Sequence, residues 1–195
     1  MTPKEALQNL KDGNARFIDG KMTHRNFKEQ MEKTAKGQYP FAVILSCIDS
    51  RSPSEIVFDQ GIGDIFNARV AGNIADSDII GSLEFACKVA GSKLILVMGH
   101  SNCGAIKGAC DDVKLGNLTG LLSKITPAIE SVSESGERNS KNHDYVEKVA
   151  KQNVIMTMEK IKKDSSILKE MIDNGEIMMV GAMYDLETGV VTFYE

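Results

Sequence analysis

The sequence has no tryptophan and only four prolines, three histidines and four cysteines in 195 residues. It has no uninterrupted apolar segment long enough to span a bilayer, which excludes a membrane-spanning helix. Its opening residues, Met1–Glu5, lack the apolar core of a secretory signal, so the expected compartment is the cytoplasm. There is no excess of basic residues. A net charge of −4 argues against a nucleic-acid partner or an anionic membrane surface. No internal repeat, linker or low-complexity tract divides the chain. One domain over residues 1–195 is expected, large enough for a substantial core. Without a secretory signal, Cys47, Cys87, Cys103 and Cys110 read as thiols or metal ligands rather than disulfides.

What is present is organised around two apolar runs that end in metal-capable side chains. The first, Phe41-Ala42-Val43-Ile44-Leu45, reads as a strand buried on both faces and leads into Cys47-Ile48-Asp49-Ser50-Arg51. If the chain stays extended there, Cys47, Asp49 and Arg51 share one side. The second run, Lys93 to Gly99, leads into His100-Ser101-Asn102-Cys103-Gly104. In an open α/β sheet, ligands gather at the carboxyl ends of parallel strands, near the point where strand order reverses. Cys47, His100 and Cys103 would meet there. Two thiolates and one imidazole leave a fourth tetrahedral position free, the pattern of a catalytic zinc site. Cys87 reads as a small buried hydrophobe on a helix, Cys110 as a spare thiol and His143 as an exposed residue at a helix start.

The remaining pattern alternates strands and helices. Thr2, Pro3 and Glu5 open a helix over residues 2–19, and a second covers about 26–36 with a thin apolar face. This arm, residues 1–37, is expected to pack on a partner subunit or at the periphery of its own. A short helix follows Ser52. Asp64 to Val70 reads as a strand, Ala71-Gly72-Asn73 as a tight turn, and 78–90 as a helix. One helix is expected over 117–132, bent near Pro127, and a polar loop over 133–142. A long amphipathic helix covers 144–163 and a short one 165–172. Two strands, 177–184 and 190–194, are joined by the hairpin loop 185–189. The rhythm predicts an α/β fold: a mainly parallel sheet with one antiparallel edge strand and helices on both faces. Periodicity leaves the strand order undecided.

Cys47-x-Asp49-x-Arg51 followed by His100-x-x-Cys103-Gly104 closely resembles the β-class carbonic anhydrases. The likeness extends through Gly13-Asn14-x-Arg16-Phe17, Gly63-Asp64-x-Phe66, Arg69-x-Ala71-Gly72-Asn73 and Gly181-x-x-Tyr184-Asp185-x-x-x-Gly189. The resemblance implies reversible hydration of carbon dioxide to bicarbonate and a proton. One Zn2+ per chain would be held by Cys47, His100 and Cys103, and hydroxide on it would attack the substrate. Asp49, oriented by Arg51, would direct the hydroxide, or would itself be the fourth ligand in a closed state. Gln38, Phe66, Ala71, Phe85 and the Gly104 amide would bind substrate. A homodimer or larger homo-oligomer is implied.

One departure is informative. Relatives with an inhibitory bicarbonate pocket carry tryptophan three residues before the first cysteine, and Ile44 stands there, so no pocket of that type is expected. Competing readings are a hydrolase of carbon disulfide or carbonyl sulfide on the same scaffold, a structural zinc site, or a thiol protein using Cys47, Cys103 and Cys110.

Overall fold

The computed structural model describes residues 1–194. Its centre is a five-stranded sheet of β1 (Ala42–Ser46), β2 (Ile65–Arg69), β3 (Leu94–His100), β4 (Met178–Tyr184) and β5 (Val191–Tyr194), in the order β2-β1-β3-β4-β5. The first four strands are parallel and β5 pairs antiparallel with β4. From β1 the chain steps outward to β2, then crosses back to β3 on β1's other side. The switch point therefore lies between the carboxyl ends of β1 and β3, where a crevice forms.

The two apolar runs are continuous because both faces of the sheet are covered. Ala42 and Ile44 of β1, with Leu94, Leu96 and Met98 of β3, pack on Ala6, Leu7 and Leu10 of α1 (Pro3–Ile18) and on Val57, the last residue of α3 (Ser54–Val57). Val43, Leu45, Ile95 and Val97 point the other way. They pack on Leu83 of α4 (Ser77–Glu84), Val154 and Ile161 of α8 (His143–Asp164) and Leu168 of α9 (Ser166–Asp173). Ile44 is wholly buried in this core.

Local rules account for most boundaries. Thr2 and Glu5 form a reciprocal capping box on α1, and Pro3 occupies its first turn. Asn142 caps α8, and Ser165 caps α9. The helix α1 is seated in its own chain's core. By contrast, α2 (Phe27–Thr34) buries none of its residues. Two readings are corrected. The helix expected over 117–132 is two, α6 (Gly116–Leu122) and α7 (Thr126–Ser131), because Pro127 lacks an amide and starts a helix rather than continuing one. The helix expected over 78–90 gives way after Glu84 to a π-helical turn, Phe85–Val89. Cys87 sits within that turn, and burial pushes its thiol up to about 12, as suits a packing residue.

An ionic knot ties the amino-terminal segment down. Asp59 is fully buried at φ 46°. It accepts from Arg16 Nε at 2.5 Å, from Arg25 Nη1, and from the Thr23 amide and hydroxyl at 3.2 and 3.0 Å. Burial works against the charge, yet these donors hold the carboxyl at about 2. Below its ordinary value, such a group stabilises the fold fully above pH ~4, and that contribution drains away as the pH falls towards ~2. Asp59→Ala, which removes the buried acceptor shared by Arg16, Arg25 and Thr23, is expected to cost roughly 3 kcal/mol at neutral pH. It should also flatten the acid limb of stability. Urea unfolding at pH 7 and at pH 3 checks this, and equal midpoints for both proteins at pH 7 would refute it.

Candidate metal centre

Three ligand-capable side chains meet at the switch point. Cys47 follows β1, His100 ends β3, and Cys103 precedes α5 (Gly104–Cys110). All three are buried, and their ligand atoms lie within 4.8 Å of one another. The two sulfurs are 3.9 Å apart. A tetrahedral ion with metal–sulfur bonds of about 2.3 Å separates its sulfurs by about 3.8 Å, so the spacing fits zinc.

His100 supplies a second test of fit. Its Nδ1 lies 2.9 Å from the Ser101 carbonyl, which can only accept, so Nδ1 carries the proton. Nε2 is then a bare lone pair, and it is buried with no hydrogen-bond partner. Such an atom is costly unless something electrophilic meets it. The thiols give a third test. The hydrogen bond from Cys103, helped by the Gly72 amide, pulls Cys47 down against the burial that opposes its charge. The same contact and burial push Cys103 up. Two sulfurs this close cannot both ionise without a counter-charge, and a divalent cation supplies one.

Asp49 stands beside the group, with Oδ2 3.8 Å from His100 Nε2. It is held by Arg51: Nε to Oδ1 at 2.9 Å, Nη2 to Oδ2 at 2.8 Å, and the Arg51 amide to Oδ1 at 2.9 Å. This fork, the largest influence, keeps the carboxyl well below the usual carboxylate range. The expectation of an extended chain past β1 is corrected here. The Ser52 amide donates to the Asp49 carbonyl at 3.2 Å, so the chain turns, and Asp49 and Arg51 meet through that turn.

The backbone around the ligands is fixed from outside. Arg69, at the end of β2, donates from Nε to the Cys47 carbonyl at 2.9 Å and from Nη2 to the Asp49 carbonyl at 2.5 Å. The Gly72 amide points at Cys47 Sγ, 3.4 Å away. Gly72 has φ 70°, and a Cβ there would lie 2.8 Å from Ile125 Cδ1, so any side chain at this position is strained. Asn153 of α8 donates to the Gly72 carbonyl at 2.8 Å, and Glu147 accepts from the Asn102 amide at 2.8 Å. Asn153 and Glu147 gave no signal in the sequence, because single polar residues on an amphipathic helix look like its solvated face. Arg69 was visible only as part of a matching motif.

The other expected site residues are dispersed. Ala71 adjoins Gly72 in a 3-10 turn beside Cys47. Gly104 opens α5 next to Cys103, and a Cβ there would meet nothing within 4 Å. Phe66 and Phe85 meet each other edge to face at 6.2 Å and line a groove of about 470 Å³ with Val43, Asn67 and Gly81 on the β2 side of the sheet. Gln38 is exposed and lies before β1 among Thr34–Gly37, Ile62 and Gly63. That is the amino end of the strands, about 16 Å or more from the ligands along β1. Cys110 is half-buried outside the group, and burial lifts its thiol to about 11. His143 begins α8 with its side chain mostly exposed.

Comparison with known proteins agrees with this geometry. A sequence model of the family described as carbonic anhydrase matches residues 42–191. Carbonic anhydrase 2 of Mycobacterium tuberculosis is 37% identical over 191 residues, which cover 96% of this chain and 90% of that protein. The carbonic anhydrase of Mycolicibacterium smegmatis is 34% identical, covering 97% and 92%. Among solved structures, the β-carbonic anhydrase CcaA superposes with a TM-score of 0.75 at 25% identity, covering 97% of this chain and 95% of that one. One of two tetrameric β-carbonic anhydrases of Sordaria macrospora shares the fold, with a TM-score of 0.72 at 22% identity over 85% and 89%.

Proposed function

This chain belongs to the β-class carbonic anhydrases, enzymes whose general reaction is the hydration of carbon dioxide, and from that premise we propose how its own residues carry the reaction. Cys47, His100 and Cys103 would hold one zinc ion. The observation that carries this is the buried, unpartnered His100 Nε2 converging with two sulfurs 3.9 Å apart. Bound there, zinc supplies acidification: it lowers the pKa of a water molecule from about 15.7 towards about 7.

The chain's side chains do the rest. The Asp49 carboxylate accepts a hydrogen bond from the attacking oxygen and turns its lone pair towards the substrate carbon. Arg51 keeps that carboxylate ionised and stops it from swinging towards His100. Ala71, in the turn beside Cys47, gives the mouth an apolar wall suited to a linear, uncharged gas. The open backbone at Gly104 admits the developing anion. Gln38, Phe66 and Phe85 lie away from their own chain's ligands, so we assign them to a second copy's site in a homo-oligomer. The uncovered surface supports this: α2 buries nothing, Phe27 and Met31 on it are exposed, and Tyr39 is 90% exposed. No helix among the described residues is long and apolar enough to cross a membrane.

Stopped-flow hydration of carbon dioxide, with zinc measured on the same sample, tests the reading. Two thiolates offset the ion's charge and leave the water less acidic than three imidazoles would. Activity is therefore expected to rise between about pH 7 and pH 9. The low carboxyl of Asp49 is ionised throughout that window, so the rise is not its titration. A flat profile in a zinc-replete sample would contradict the proposal.

A further inference from the structure

The Asp49–Arg51 pair is local, two residues apart on one turn, and all three of its contacts lie within that turn. It can therefore fix the direction of the carboxylate but not the place of the turn relative to His100. If the turn slides, Arg51 slides with Asp49. Something from a separate element has to anchor it, and Arg69 of β2 is so placed. Its backbone is in register with Ser46, and its guanidinium reaches past the end of β1 to the carbonyls of Cys47 and Asp49, one on each side of Ile48.

The contact to the Asp49 carbonyl exceeds what folding needs. The Asp49 carbonyl already accepts from the Ser52 amide at 3.2 Å and the Ser52 hydroxyl at 3.1 Å. The Cys47 carbonyl, on a residue 5% exposed, takes Arg69 Nε as its donor, so that prong both satisfies and locates a buried oxygen. No carboxylate among the described residues pairs with Arg69, whose fork is given to backbone oxygens alone. A rigid two-pronged donor on two carbonyls defines position in a way that a single ammonium does not.

We propose that Arg69 is a positioning residue for the hydration reaction: it pins the Cys47–Asp49 backbone to β2 and so sets the Asp49 carboxylate at its working distance from the metal group. This rests on the role proposed for Asp49. A misplacement of about 1 Å costs up to roughly a hundredfold in rate. Arg69→Gln is therefore expected to lower kcat tenfold to a hundredfold (roughly), with KM within about twofold and zinc still at one per chain.

A double-mutant cycle with Asp49→Ala separates positioning from general support. If Arg69 acts through Asp49, adding Arg69→Gln to Asp49→Ala lowers kcat by less than about threefold. The same loss in both backgrounds, no loss in the unsubstituted background, or loss of zinc overturns the proposal. Arg69→Lys keeps the charge but one prong, and is expected to recover only part of the rate. It runs the same cycle if the glutamine variant does not fold. With cobalt(II) in place of zinc, the visible bands of Arg69→Gln are expected to shift without any substrate, and bands identical to the unsubstituted protein also overturn it. The underlying reading fails separately, if the unsubstituted protein does not hydrate carbon dioxide or if Asp49→Ala turns over at full rate.

Discussion

Serine in place of Cys103 is expected to remove the metal and the turnover together. Cys103 is 1% exposed, and its sulfur sits 3.9 Å from that of Cys47, facing the unpartnered His100 Nε2. A serine hydroxyl has no accessible anionic form near neutral pH and sits closer to its own backbone than a sulfur does. Two ligands would remain where three converge. Mutating partners that merely orient a ligand costs roughly tenfold to a hundredfold in metal affinity, and loss of a ligand itself should exceed that. Zinc measured after dialysis should fall well below one per chain, with hydration lost in proportion. Because the ion binds only the folded chain, the thermal midpoint should also drop and respond less to added zinc. Cys110→Ser is the control: half-buried and outside the group, it should leave zinc and rate unchanged. Full zinc and full rate in Cys103→Ser would end the assignment of this cluster as a metal site.

The parts of this structure legible in the sequence are those governed by short-range rules. Two apolar runs covered on both faces, the Thr2–Glu5 capping box and the Asp185–Gly189 loop each carry their physics within a few residues. The ligand set was legible for the same reason, since thiols and an imidazole placed just past strand ends have little else to do. What was hidden depends on contacts between distant residues. Asp59 gives no local sign that Arg16 and Arg25 will close on it from more than thirty positions away. Asn153 reaches Gly72 across 81 residues, and the order of the strands is itself a long-range property. The split between α6 and α7 was a different kind of miss. The sequence predicts a bend at Pro127 because proline kinks a helix interior, but a missing amide is cheapest in a helix's first turn.

Asp49→Ala separates the chemistry from the fold more sharply than any other change, because the residue contributes so unequally to each. Its partner Arg51 has a side chain 57% exposed, and an ion pair that open to water contributes little to stability. Asp49 lies outside the group of three ligands, so zinc should stay at one per chain. The stability and metal content of Asp49→Ala should therefore lie close to those of the unsubstituted protein. Turnover should not. The carboxylate lies 3.8 Å from His100 Nε2, and it is held there in its ionised form. Loss of one orienting or proton-accepting group typically lowers a rate by roughly a hundredfold or more, about 2.7 kcal/mol in the barrier. Arg51→Lys should give a smaller loss in the same direction, since one ammonium cannot reproduce the fork to both carboxylate oxygens. The measurement is kcat with zinc content and thermal midpoint on each variant. Unimpaired turnover in zinc-replete Asp49→Ala would remove the carboxylate from the mechanism and leave the Arg51 fork without a catalytic purpose.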